Sequence, residues 1–248
     1  MRKGLPAGVL AKLVALFVVS GCVSNTPQPG AAEVRLQLGM HYLAVEDYAA
    51  AQRNFLRAQA AAPRDYRVPL ALARLARLQG NSAAATRQFL VAQRLAPKNG
   101  YVANNYGAFL CALGQYDEAH QQFKRAMDAQ EGDARIDAFE LSGYCYLQAG
   151  DDESARSAIL HALDADRGKG ESMLAEAERL VETHQSVNTP LLLEIYQQRL
   201  PETARSLALH IRFAAQQENA ADITRYGDQL ARRFPQSIQY QRYLANEY

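Results

Sequence analysis

Tryptophan, an excess of charge of one sign, and every common catalytic signature are absent from this chain of 248 residues. The 27 basic residues are matched by 26 acidic ones. No Lys/Arg cluster forms the basic face that a nucleic-acid binder needs. The five histidines (His41, His120, His161, His184 and His210) are scattered, and none belongs to an HExxH pair. No glycine-rich phosphate loop and no GxSxG turn occurs. His120 has Asp117 and Glu118 beside it, but the repeat described below accounts for that helix, so a solvated face is expected there and not a metal site. These absences argue against an enzyme, a cofactor, a small-molecule substrate and a nucleic-acid partner. What is present is a large apolar fraction, 48%, with 13 tyrosines and abundant alanine. Large knobs beside small holes suit a close-packed helical array.

The N-terminus must be set aside before the fold is read. Arg2 and Lys3 are followed by an apolar run from Leu13 to Val19. The run is too short to cross a bilayer, which takes about 20 apolar residues, but it has the size of a signal-peptide core. Val19-Ser20-Gly21-Cys22 resembles the lipobox of bacterial lipoproteins. In that family the cysteine is diacylated, the peptide is cut before it, and the new amine receives a third chain. An ordinary secretory signal would leave this match to chance. Residues 1–21 are therefore expected to be removed, with Cys22 carrying covalent lipid (palmitate among its chains). Val23 stands where lipoproteins retained in the inner membrane usually carry Asp, which implies the periplasmic face of the outer membrane. Two or more acyl chains anchor stably, each buried CH₂ contributing ~0.8 kcal/mol. Loss of Arg2, Lys3 and Lys12 leaves 24 basic against 26 acidic residues, so charge is not expected to attract the lipid. Asn25 to Gly30 is polar and rich in Pro and Gly, and 22–32 reads as the acylated cysteine plus a short tether.

An internal repeat settles the architecture. Gly39, Ala73 and Gly107 are spaced by 34 residues, the period of the tetratricopeptide (TPR) helix hairpin. In step with them run Ala51, Ala85 and Ala119, then Phe55, Phe89 and Phe123, then Ala58, Ala92 and Ala126. Pro63 and Pro97 close the first two units, and Tyr48 and Tyr116 open the second helices of the first and third. A fourth unit follows a two-residue insertion, with Gly143, Ala155, Ile159 and Ala162. Small residues let helices approach, Phe fills the gap, and Pro stops the second helix. Gly80-Asn81, Gly114 and Gly150 supply turns. Pro201 and Pro235 are again 34 apart and close two degenerate units. Their first helices are expected over Glu171 to His184 and Thr203 to Gln216. Their second helices are expected over Leu191 to Leu200 and Ile223 to Phe234, with Thr189-Pro190 as an N-cap and first-turn Pro. The expected fold is all-α, a TPR solenoid of about six helix-turn-helix repeats forming a right-handed superhelix. Four clear repeats cover 33–168, two degenerate ones 169–236, and 237–248 caps the array.

Cys111 and Cys145 lie on the first helices of units three and four, one of them two positions out of phase. Adjacent helices bring Cα atoms within the ~7 Å a disulfide needs only at close contacts. A bridge and two small buried thiols are the alternatives. A TPR array normally binds through the concave wall of its first helices. Projecting the repeat onto that wall gives Leu36, Met40, Leu43, Leu70, Arg74, Arg77, Tyr101, Asn104, Asn105, Ala108, Glu140 and Tyr144 as groove candidates. Asn104 or Asn105 is placed to hydrogen-bond an extended peptide backbone.

The string Asn104-Asn105-Tyr106-Gly107-Ala108-Phe109-Leu110-Cys111, with the lipobox, the chain length and the repeats, resembles the type IV pilus biogenesis and stability lipoproteins, the PilF/PilW pilotin family. The resemblance spans the whole mature chain and is densest from Leu38 to Ala126. It implies a pilotin that binds the secretin subunit of the type IV pilus machine and promotes its outer-membrane localisation and multimerisation. The competing expectation is a periplasmic TPR lipoprotein that scaffolds outer-membrane protein assembly or cell-wall enzymes.

Overall fold

A computed structural model of the chain describes residues 30–248. The expected signal peptide, Cys22 and most of the tether lie outside the described residues. The described residues form thirteen α-helices and one 3-10 turn, with no strand, and make an all-α helical repeat solenoid. The helices are α1 (Ala31–Ala44), α2 (Tyr48–Ala61), α3 (Arg67–Leu78), α4 (Ser82–Leu95), α5 (Gly100–Ala112), α6 (Tyr116–Met127) and α7 (Gly132–Ala149). They continue as α8 (Asp152–Ala165), α9 (Lys169–Glu182), α10 (Thr189–Arg199), α11 (Ala204–Gln216), α12 (Ala220–Arg233) and α13 (Ile238–Leu244). Odd-numbered helices α1 to α11 are the first helices of six hairpins, and α13 packs on α11 and α12 as a next first helix would.

The turns between hairpin arms explain the period. One residue in each adopts a left-handed conformation: Glu46, Gly80, Gly114, Gly150, His184 and Glu218, with φ of 60°, 73°, 74°, 80°, 55° and 54°. The following N–H reaches back to a carbonyl in the last turn of the helix, as in Asp47 to Tyr42 (2.9 Å), Asn81 to Ala76 (2.8 Å) and Gln185 to Leu180 (2.9 Å). That bond satisfies a terminal carbonyl the helix cannot satisfy itself. Asp47, Asn81, Asp151 and Asn219 then cap the second helices, accepting from Ala50, Ala84, Ser154 and Asp222 N–H groups at 2.9–3.1 Å. The second helices α2, α4, α10 and α12 each stop two residues before a proline, at Ala61, Leu95, Arg199 and Arg233, because the residue before Pro avoids the helical conformation.

Packing follows the repeat. Ala51, Ala85, Ala119 and Ala155 are fully buried, and so are Ala58, Ala92 and Ala126. A Cβ on Gly107 would sit 2.7 Å from the Phe123 ring, and one on Gly143 would sit 2.5 Å from Ile159 Cγ1. Gly39 meets the Phe55 ring in the same way. These are the small-residue holes that Phe and Ile fill.

Unit five departs from the pattern. A 3-10 turn at Ser186–Asn188 precedes α10, and its helical geometry lets α10 begin at Thr189. Asn188 therefore holds the cap position without a side-chain bond, and Thr189 is not the N-cap expected of it. Thr189 occupies the site of Ala51 and its equivalents, fully buried, with no partner for its hydroxyl among the described residues. In unit six, Gly227 on α12 receives the ring of Tyr243 from α13. The array is thus closed by an aromatic knob from its last helix.

Candidate concave binding wall

Residues three and four apart on a helix share a face. Arg67, Leu70, Arg74 and Arg77 therefore form one stripe on α3. The 34-residue repeat maps it onto Tyr101, Asn104, Ala108 and Cys111 of α5, and onto Arg205, Ala208, Arg212 and Ala215 of α11. The α11 stripe lines an observed hollow: Glu178, Arg205, Ala208 and Arg212 face Gln239, Arg242, Tyr243, Glu247 and Tyr248 across it. The first helices thus present a concave wall, closed at its C-terminal end by α13 and the residues after it.

The structure divides the groove candidates. Arg74, Arg77, Tyr101 and Asn105 are exposed, and Met40, Leu70, Ala108 and Tyr144 are half-buried. Four expectations are corrected. Leu36 and Leu43 are buried in the N-terminal core with Phe55, Val68, Leu72 and Leu75, because α3 covers them. Asn104 is 3% exposed, and its Nδ2 donates to Ala134 O at 2.7 Å. It ties unit three to the first turn of α7 instead of facing a ligand. Glu140 is buried and accepts from the Tyr144 hydroxyl at 2.8 Å, from Lys169 at 2.9 Å and from Ser172. Burial, then the Glu140 charge, pushes the Tyr144 phenol well up, so it stays a donor. Burial disfavours the Lys169 ammonium, but its bonds to Asp137 and Glu140 outweigh this and its pKa is raised. The projection treated each stripe as equally open, whereas Leu36, Leu43, Asn104 and Glu140 pack against the next hairpin.

Asn105 keeps its exposure. Its Nδ2 donates to Tyr101 O at 2.8 Å, which leaves its carbonyl oxygen outward. Cys111 and Cys145 form a disulfide between α5 and α7 with Cα atoms 5.8 Å apart. It fastens units three and four where the two-residue insertion lengthens α7.

Ion pairs along the wall were not part of the sequence reading. Glu33 pairs with Arg67 (2.7 Å), and 138 residues further on Glu171 pairs with Arg205 (2.7 Å). Arg205 also binds Glu178 at 2.6 Å, and that hydrogen bond holds the carboxylate below its usual range. Arg212 reaches Glu182 at 3.3 Å. The signal was available: opposite charges at one repeat position, 34 residues apart.

His120 is half-buried and not on the solvated face expected of it. Its ring stacks on Tyr146 at 3.8 Å, and Ser142 Oγ lies 3.4 Å from Nδ1. Burial lowers its pKa against the opposing pull of Asp117 and Asp151. Among the described residues, no group of three or more His, Cys, Asp and Glu could hold a metal ion. None of the described helices is long and apolar enough to cross a membrane.

No family model matches the chain. The type IV pilus assembly protein PilF of Pseudomonas aeruginosa is 29% identical over 250 aligned positions, covering 96% of this chain and 99% of PilF. The solved structure of that PilF superposes with a TM-score of 0.59 at 28% identity, over 87% of this chain and 97% of the other. The crystal structure of PilW, a widely conserved type IV pilus biogenesis factor, gives a TM-score of 0.61 at 24% identity, over 87% of this chain and 99% of PilW, which bears on the fold alone. An uncharacterized protein of Haemophilus influenzae is 31% identical over 144 residues, 56% of this chain and 80% of that protein. Homologous to PilF along nearly its whole length and sharing the fold of both PilF and PilW, the chain is similar to type IV pilus biogenesis TPR proteins.

Proposed function

We propose that this protein is a pilotin, a lipid-anchored adaptor that binds the secretin subunit of the type IV pilus machine at the periplasmic face of the outer membrane. In this reading it binds and does not catalyse. The observation that carries the proposal is the end-to-end match to PilF, 99% of whose length is covered. The concave wall of first helices supplies a groove for a segment of the subunit. Acyl chains on Cys22 confine the complex to the target bilayer, and confinement raises the effective concentration of bound subunits for multimerisation.

The test is a deletion strain complemented with wild-type protein or with Cys22→Ser. Heat-resistant secretin multimers in the outer-membrane fraction are measured on a gel, with the mass and fractionation of the complementing protein. Deletion is expected to deplete multimers and surface pili, and Cys22→Ser to leave protein unlipidated and mislocalised. Full multimer levels in the deletion strain would refute the pilotin role. A Cys22→Ser protein of wild-type mass in the outer membrane would refute the anchor.

A further inference from the structure

The stripes on α3 and α11 share a pattern, arginine at two repeat-equivalent positions, yet they differ in what neutralises them. On α11, Arg205 and Arg212 are held by Glu171, Glu178 and Glu182 of the preceding first helix. On α3, Arg67 is held by Glu33 and Asp65. Arg74, the equivalent of Arg212, has no ionic partner among the described residues, and neither has Arg77. The cause lies in the sequence. Where α9 places Glu178 and Glu182, α1 places Met40 and Ala44. Two exposed guanidiniums three residues apart are therefore bordered by apolar surface from Met40, Leu70, Ala108 and Tyr101, the last 39% exposed. The C-terminal end of the wall is different in kind, with Arg205 and Arg212 paired internally and Tyr243 and Tyr248 lying across it. The open, uncompensated part of the wall is the stretch over α1, α3 and α5.

We infer that this stretch is the docking site for an extended partner segment carrying two carboxylates flanked by apolar side chains. One carboxylate takes, beside Arg74, the place that Glu182 fills beside Arg212, and the other meets Arg77. Charge complementarity selects the occupant. Arg74 and Arg77 offer planar forks that carboxylates engage bidentately, Met40, Leu70 and Tyr101 cover apolar side chains, and the outward Asn105 carbonyl accepts a backbone N–H. The attraction is local, because acidic residues slightly outnumber basic ones once 1–21 are set aside. The inference rests on the pilotin reading for the partner's identity, a segment of the secretin subunit, but not for its chemistry.

The probe is an array of overlapping 15-residue peptides tiling the secretin subunit, beside a second array with every Asp and Glu changed to Asn and Gln. Both are exposed to purified protein lacking residues 1–21. Acidic-apolar peptides are expected to bind, and their amide counterparts to bind about tenfold more weakly, as two exposed charge pairs imply. Arg74→Glu with Arg77→Glu should lose binding by at least that factor. Arg74→Lys with Arg77→Lys should recover part of it, and Arg53→Glu with Arg57→Glu on α2 should change nothing. All four substituted arginines are exposed, so helical signal and melting are expected to stay at wild-type values. Equal binding of acidic and amide arrays, or no effect of the Arg74/Arg77 reversal, would overturn the inference while leaving the pilotin reading intact. If intact secretin fails to co-purify yet unrelated acidic-apolar peptides bind through Arg74 and Arg77, the docking chemistry stands and the partner's identity falls. Arg74/Arg77-dependent binding to phosphatidylglycerol vesicles without peptide binding would assign the stripe to lipid and refute the proposal.

Discussion

Replacing Glu46, His184 and Glu218 by glycine should stabilise the protein, although no contact is gained. These residues hold φ of 60°, 55° and 54° in turns where Gly80, Gly114 and Gly150 sit in the other hairpins. A side chain in that conformation costs roughly 1–2 kcal/mol. Glycine removes this cost but adds about 0.5–1 kcal/mol of unfolded-state entropy. The net gain is roughly 0.5–1 kcal/mol per site. All three side chains are exposed and make no hydrogen bond or ion pair among the described residues, so nothing offsets the gain. Independent sites add, and the triple variant should gain ~1.5–3 kcal/mol. Urea unfolding followed by circular dichroism, with hydrogen exchange to localise the effect, measures it. In the reverse direction, Gly114→Ala should lose about 1 kcal/mol. A triple variant no more stable than wild type, with Gly114→Ala neutral, would refute the claim that the six turns share one strained backbone position.

Three further outcomes are expected. Gly107→Leu should destabilise by ~1–3 kcal/mol or more by overpacking, because Phe123 is 1% exposed and has nowhere to move; combining it with Phe123→Ala should cost less than the sum of the two, read from unfolding midpoints. Burial, aided by Arg225, pushes His210 down to about 4 from 6.5, so the unfolded chain takes up a proton that the folded one refuses. Stability should fall as pH drops from about 6.5 to about 4, by at most about 3 kcal/mol from this group, and His210→Gln should flatten that window in a melting series against pH. Changing Cys111 and Cys145 together to Ser should cost ~3–4 kcal/mol, given the 34-residue separation, and reduced wild type should unfold at the same urea concentration as the variant.

Much of the fold was legible because its small residues carry the period. Gly39, Ala73, Gly107 and Gly143 mark where two helices nearly touch, and no other residue type fits there without displacing Phe55, Phe123 or Ile159. Units five and six were harder to read: unit five carries Thr189 and Tyr196 where the alanines stood, and in unit six the small and large positions change places. Ile211 stands on α11 where glycine stood on α1 and α5, and Gly227 stands on α12 where Phe stood, with Tyr243 filling the space. The period survived there in Pro201, Pro235 and the left-handed turns. Two of those turns, at His184 and Glu218, use residues that carry no turn signal of their own. Thr189 shows a different limit. Thr-Pro is a sound helix-start signal, but the 3-10 turn before it supplied the first helical turn.

The binding wall was half legible, and the reason is physical. Periodicity identifies which residues repeat but not which way each one leans. Asn104 and Asn105 are adjacent in a string that singles out neither, yet one is bound to Ala134 and the other faces out, because only one of two consecutive helical positions points at the next hairpin. Charge carries the missing information. Glu33 and Arg67, and Glu171 and Arg205, are opposite charges at one repeat position in adjacent units, and adjacent first helices bring such pairs together. Reading charges with the same 34-residue ruler as glycines would have separated the tied arginines, Arg67, Arg205 and Arg212, from the free ones, Arg74 and Arg77. On the concave wall of a repeat array, a charge with no opposite at the neighbouring repeat positions is one that a bound partner can neutralise.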